Sequence, residues 1–179
     1  MFALIFWDSA APGGIELPVL RTITAIIGIP VKVTGSCILL DGYVGARKQI
    51  DAKVVLDSME IYTHRTGFSH PLLLVVGQDI FRAGTPFLFG LARPETGVAV
   101  ISTARLSNEF YGLNQNDEEF INRISREGAH EIGHLFGLGH CANPECVMFN
   151  PCTLDELDRK RNQFCQSCKP ALESAIEQF

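Results

Sequence analysis

Residues 130–146 read HEIGHLFGLGHCANPEC and hold three of the chain's five histidines and two of its six cysteines. His130 and His134 are four apart, so on a helix both imidazoles fall on one face, close enough to share a metal ion. Glu131 lies beside the first of them. It can hold a water on that metal without ligating the metal itself, the logic of H-E-x-x-H: two zinc ligands and a general base. The third ligand is assigned to His140. Were the helix to run on, six further residues at about 100° each would swing His140 away from His134. They would also carry it about 9 Å along the axis. Gly137 resolves this, because a glycine takes the left-handed conformation that ends a helix and lets the chain turn back. Three neutral imidazoles leave a fourth tetrahedral position for water, the arrangement of a catalytic zinc. H-E-x-x-H alone is modest evidence; HExxHxxGxxH on an amphipathic helix is specific.

The cysteines carry a second pattern. Cys141, Cys146, Cys165 and Cys168 form C-x4-C…C-x2-C, two short-spaced pairs split by a loop, which reads as a four-cysteine zinc site. Four thiolates complete the coordination shell, so this zinc is expected to be structural. The competing readings are free thiols or a redox pair at Cys165 and Cys168. A redox pair needs a low-pKa thiol at a helix start after a strand, and Cys165 follows a helix-like segment instead. Adjacent side chains in an extended turn point different ways, so His140 and Cys141 can serve different ions. The second zinc then clamps the loop that delivers the third ligand of the first. The 39 residues after His140 have little core of their own, and a structural metal can supply folding energy there. Cys152 is left over, with a spacing that fits the set less well. Cys37 lies in an apolar segment and reads as a small buried hydrophobe. His64 and His70 are isolated near loops, lack ligand spacing, and are given no site role.

These groups need a rigid frame. The pattern predicts a helix over about 117–136, capped by Asn116 or Asp117, with Glu118 and Glu119 complementing its dipole. Its apolar positions are Phe120, Ile121, Ile124, Gly128, Ile132 and Leu135, at helical spacing. Upstream, FALIFW reads as a strand. Residues 15–27 read as a helix, with Pro18 in the first turn and Pro30 as the stop. VKVTGSCILL reads as a strand, and a turn at Asp41-Gly42 leads to YVGARKQI. Asp51 caps a helix with an apolar face of Val54, Val55, Met59 and Tyr62. PLLLVVG is continuous enough for a central strand buried on both faces. FLFGLA and GVAVIST are two more strands. In the Cys-rich, mainly irregular tail, Thr153 and Glu156 form a capping box. Strand–helix alternation followed by such a tail indicates an α/β-type N-terminal part and a small C-terminal part.

The totals fit one soluble domain: 179 residues, 46% hydrophobic, 20% charged. A net charge of −5 without a basic block argues against a nucleic-acid partner. No apolar run approaches the roughly 20 residues of a membrane helix. The opening MFALIFW lacks a positive n-region and is interrupted by Asp8, so it reads as a buried strand rather than a secretory leader. The cytoplasm is therefore the default compartment, where cysteines serve as metal ligands or free thiols more often than as disulfides. A monomer is expected. No long propeptide precedes the first strand, so latency through a detachable segment is not expected.

HEIGHLFGLGH resembles the metzincin clan of zinc peptidases, and the cysteines resemble one branch of it, the archaemetzincins. That branch continues from the third His through Cys, a four-residue gap, Cys, one residue and Met, then a spacer and CxxC. Here these are His140, Cys141, Cys146, Met148, Cys165 and Cys168, with a sixteen-residue spacer slightly shorter than the family's. The motif covers the last third of the chain. The resemblance implies an α+β, zincin-like fold of metzincin type: a mixed twisted sheet with helices, an active-site helix, and a small Cys-rich, zinc-stabilised subdomain. It implies a cleft between an upper subdomain, residues 1–137, and a lower one, residues 138–179. Met148 would be the Met-turn residue, a hydrophobic floor under the three histidines. Residues 87–92 would be the antiparallel edge strand that pairs with an extended substrate. Asn150 stands where some clan members carry a metal-ligating Tyr, so that role is absent.

The function expected is a zinc metallopeptidase with two zinc ions per chain, one catalytic and one structural, acting on a peptide or protein. Glu131 activates a zinc-bound water and later protonates the leaving amine. Residues 149–164 follow the Met-turn and are placed to wall the pocket beyond the scissile bond. The alternatives are a catalytically silent zinc-organised binding module, which has no need of Glu131, and a Cys-rich redox or zinc-storage protein.

Overall fold

The computed structural model describes residues 1–178; Phe179, the end of the expected lower subdomain, lies outside the described residues. In chain order its elements are β1 (Ala3–Trp7), α1 (Glu16–Ile27), β2 (Val31–Gly35), β3 (Tyr43–Val44), β4 (Gln49–Asp51), α2 (Ala52–Thr66), β5 (Leu72–Val76), β6 (Ile80–Phe81), β7 (Gly90–Arg93), β8 (Val98–Ser102), α3 (Asp117–Leu135), α4 (Leu154–Arg159) and α5 (Cys168–Gln178). The main sheet has the order β2-β1-β5-β8-β7, parallel throughout except for β7, which pairs antiparallel to β8 at the edge. A small sheet, β3-β4-β6, stands beside it. This is the expected α+β architecture: a mixed sheet, helices on its faces, and a Cys cluster in the C-terminal part. No helix among the described residues is long and apolar enough to cross a membrane.

The apolar run in β5 is buried along its whole length because it faces two cores. Leu73 and Val75 point to the side of α1 and α3, whereas Leu72, Leu74 and Val76 point to the side of α2. Alternate side chains of a strand leave opposite faces, so a strand covered on both sides carries no polar period. α3 lies close to this sheet because Gly128 has no side chain. A Cβ there would come within 2.8 Å of Ile23 Cδ1 and 3.2 Å of Leu73 Cδ2. The tail does not build a core of its own: Val147, Met148, Leu157, Phe164 and Leu172 are buried in the same cluster as Ile124 and Ile132 of α3.

Three expectations are corrected. VKVTGSCILL is a strand only as far as Gly35. The N–H of Ile38 donates to Ser36 Oγ (3.1 Å), a turn that takes the chain off the sheet edge and leaves Cys37 exposed. α1 ends at Ile27 as expected, but its stop is Gly28 in the left-handed region, where its N–H donates to the Thr24 carbonyl, rather than Pro30. The edge strand starts at Gly90 rather than at Phe87, because the Leu88 N–H turns instead to Ile80 of the small sheet (2.9 Å). Asp51 does cap α2, accepting from the Lys53 N–H at 2.9 Å.

Candidate active site

α3 starts where its chemistry dictates. Asn116 is the cap, its side chain accepting the Glu119 N–H at 3.1 Å, and Asp117, Glu118 and Glu119 fill the positive first turn. At the other end Gly137 has φ +82°, and its N–H donates to the His134 carbonyl (2.8 Å). The chain reverses there. The His140 ring comes to stand 5.4 Å from that of His130 and 4.9 Å from that of His134. One nitrogen from each of the three rings lies within 4.8 Å of the others.

The neighbours of the rings fix which nitrogens face each other. His130 Nδ1 meets the Val147 carbonyl at 2.9 Å and His134 Nδ1 meets the Leu138 carbonyl at 2.7 Å. A carbonyl only accepts, so both Nδ1 atoms carry the proton and both neutral rings present an Nε2 lone pair. These Nε2 atoms stand 3.0 Å apart. Two lone pairs at that distance repel unless a cation lies between them, and three imidazole nitrogens form a donor set suited to zinc. Burial, then the positive charge of Lys160, pushes the His130 pKa well below its ordinary value; burial lowers His134 and His140 as well. All three shifts favour the neutral form, the form in which an imidazole can ligate a metal.

Met148 is fully buried under α3. A Cβ on Gly133 would come within 2.5 Å of its Sδ, so the glycine between the two helical histidines is the slot for this side chain. Glu131 is 3% exposed and packs against the main chain of β7. A Cβ on Gly90 would meet its Cγ at 2.8 Å and collide with its Oε1. Burial, then the neighbouring Glu127 carboxylate, drives the Glu131 pKa well above the usual carboxylate range, and Lys160 opposes the shift. The face of α3 with His130, Glu131 and His134 opens on a cleft of about 520 Å³, bordered by the 85–92 stretch and by Asn150, Pro151 and Cys152.

The cysteine set also assembles. The Sγ atoms of Cys141, Cys146, Cys165 and Cys168 lie within 4.8 Å of one another. The Cys146 sulfur accepts the N–H groups of Met148 (3.4 Å) and Cys165 (3.3 Å), and Cys141 accepts that of Asn143 (3.4 Å). The Cys168 N–H, more than any other group, pulls the Cys165 thiol down to about 6. Burial and the crowd of sulfurs push Cys168 up. Four thiolates this close need a cation to coexist, which a divalent metal supplies. Cys168 opens α5, but an irregular segment rather than a strand leads into the CxxC, so the redox geometry is not met.

Comparison with known proteins places the chain. The model of peptidase family M54 matches residues 25–174. This chain belongs to peptidase family M54. An archaemetzincin from Pyrococcus horikoshii is 39% identical over 152 residues, 83% of this chain and 80% of that protein. Among solved structures, a zinc-dependent peptidase from Methanocorpusculum labreanum is 42% identical with a TM-score of 0.90, covering 95% of this chain and 99% of that one. An archaemetzincin from Methanopyrus kandleri is 27% identical with a TM-score of 0.79, covering 99% and 96%. This chain is thus a peptidase-family chain that carries one three-histidine and one four-cysteine cluster.

In this M54 sequence His130, His134 and His140 fall in one cluster and Cys141, Cys146, Cys165 and Cys168 in the other, with Glu131 and Met148 beside the histidines. Cys152 stays outside the thiol set, exposed at the cleft rim. His64 is on the surface near Glu60, and His70 lies against the Phe2 ring. Four further residues at the site were not singled out: Gly90, Glu127, Gly133 and Lys160. Glu127 was legible as the position four before Glu131 on the same helical face. Gly133 carried the weaker signal of a glycine inside a strong helix. No local signal marks the others, whose roles come from tertiary contact.

Proposed function

We propose that this chain is a zinc metallopeptidase whose reaction is carried out at His130, Glu131, His134 and His140. The observation that carries the proposal is the convergence of the imidazole lone pairs at the cleft, with the Glu131 carboxylate one residue from the first. The three histidines would hold the catalytic zinc. Zinc, when bound, supplies a Lewis acid that acidifies water and polarises the scissile carbonyl. Glu131 takes the proton from the attacking water and passes it to the leaving amine. Burial favours this role, because a carboxylate withdrawn from water has a raised affinity for the proton it must shuttle. β7, with its free edge beside Glu131, would align an extended peptide by main-chain hydrogen bonds. Met148 would be the apolar floor beneath the histidines, and residues 149–164, of which Asn150, Pro151 and Cys152 border the cleft, would wall the pocket.

Cys141, Cys146, Cys165 and Cys168 would hold a second, structural zinc. What supports this is a closed set of four sulfurs with main-chain N–H donors, in a tail that borrows its core from α3. The cleft would then lie between an upper part, residues 1–137, and a lower part, residues 138–179. The test is cleavage of a mixed peptide library by zinc-loaded protein, read by mass spectrometry beside Glu131→Ala. Cleavage by the wild type alone is expected. Equal cleavage by both proteins would refute the role of Glu131. No cleavage by either, in protein shown to hold zinc at the histidines, would favour a binding module.

A further inference from the structure

Glu127 lies one helical turn before Glu131 on the same face of α3 and borders the cleft. Both carboxylates are 3% exposed. Lys160, directly after α4, is 1% exposed, and its Nζ lies 3.9 Å from Glu127 Oε2. That is within reach of an ion pair but beyond a hydrogen bond. Neither atom has a hydrogen-bond partner among the described residues. The charged groups that act on this ammonium are Glu127, Glu131, Cys146 and Arg126, the first three attracting it. So Lys160 stands at ion-pair distance from Glu127, one helical turn from Glu131, and is hydrogen-bonded to neither. Its position is imposed from both sides along the chain. Asp158 accepts two bonds from Arg123 (2.6 and 2.7 Å), and Asn162 accepts one from Arg126 (2.9 Å), tying the α4 segment to α3. For packing alone a hydrophobic side chain of this length would serve at lower desolvation cost.

We propose that Lys160 is a positioning residue for the peptidase reaction: its buried ammonium, paired with Glu127 one helical turn before Glu131, fixes that neighbouring carboxylate and with it the setting that aligns Glu131 beside the three histidines. The inference rests on the reading of Glu131 as the proton acceptor. It adds a reason why the C-terminal segment must dock before the active site is complete. Arg123 and Asp158 seat α4, α4 inserts Lys160, and Lys160 orients a group on the opposite element.

The experiment compares zinc-loaded wild type, Lys160→Met and the double variant Glu127→Gln/Lys160→Met. The double variant replaces the buried charge pair by neutral side chains of similar shape. Peptide kcat and KM, zinc content, melting temperature and the Kd of acetohydroxamate are measured on each. The hydroxamate chelates zinc and hydrogen-bonds to a neighbouring carboxylate, so it reports on Glu131 without turnover. In Lys160→Met, kcat should fall about 10–100-fold with zinc content retained and KM little changed. Hydroxamate should bind about tenfold more weakly, since a charge-assisted hydrogen bond is misaligned. In the double variant the melting temperature should recover while kcat and hydroxamate affinity stay low. Wild-type kcat in Lys160→Met overturns the proposal, as does recovery of kcat together with melting temperature, or failure of the double variant to fold, since either makes the pair purely structural. If the wild type cleaves no peptide, the functional reading has failed separately. Equal hydroxamate affinity across the three proteins then overturns this one.

Discussion

Gly90→Ala should separate stability from activity. Gly90 lies in an edge strand with no positive φ, so alanine is compatible with its backbone. Removing the freedom of glycine from the unfolded chain stabilises such sites by about 0.4–1 kcal/mol. The new Cβ, however, would stand 2.8 Å from Glu131 Cγ and 2.9 Å from its Cδ, and closer still to Oε1. Carbon contacts are comfortable from about 3.5 Å, so the carboxylate must retreat by roughly 0.7 Å or more, or rotate away. A misplacement of about 1 Å at a reacting group can cost about 10²-fold. A loss of kcat of about 10–100-fold is therefore expected, equivalent to about 1.4–2.7 kcal/mol of barrier. Zinc content should be unchanged and the melting temperature equal or slightly higher. The decisive comparison is with Glu131→Gln. If the methyl group acts through Glu131, adding Gly90→Ala to Glu131→Gln lowers activity no further, because the two changes disable one group. Wild-type kcat in Gly90→Ala, or additive losses in the double variant, would refute the reasoning.

Gly137→Ala places a side chain at φ +82°. A cost of about 1–2 kcal/mol and weaker zinc binding at the histidines are expected, read by thermal melts and chelator competition, and an unchanged zinc affinity would detach the turn from the delivery of His140. Cys141→Ser should lower metal retention at the three histidines as well as at the cysteines, because His140 precedes it directly; a variant with full occupancy of the histidine site by metal analysis counts against the coupling. Acid displaces zinc from histidines by protonating them, and here burial lowers the pKa of all three. Zinc occupancy should therefore hold as pH falls from about 7.5 to the free-imidazole value of about 6.5 and decline only below it. A steep decline that begins above about 6.5 in a chelator titration would contradict the burial argument.

The site was legible where its parts are close in sequence. The cap at Asn116, the spacing of His130 and His134, and the break at Gly137 belong to one helix-and-turn unit, whose geometry follows from local rules. The two main errors over strands have local physical causes that hydrophobic pattern alone misses. A Ser36 side-chain turn ended β2 and exposed Cys37, and Leu88 was drawn to the small sheet rather than to β8. What was not legible is what arrives from elsewhere: Gly90 from an edge strand 41 residues upstream of Glu131, and Lys160 from a segment 29 residues downstream. The same distinction explains why one stretch carries two kinds of candidate ligand. Cys146 contributes its sulfur to the thiol set. Val147 gives its carbonyl to His130 Nδ1, while Met148 puts its side chain under Gly133 and its carbonyl on the Cys141 N–H (2.8 Å). Three consecutive residues thus touch both clusters. A metal that fixes Cys146 also fixes the carbonyl that orients His130, so the cysteine cluster supports the histidine cluster through this segment as well as through the peptide bond between His140 and Cys141.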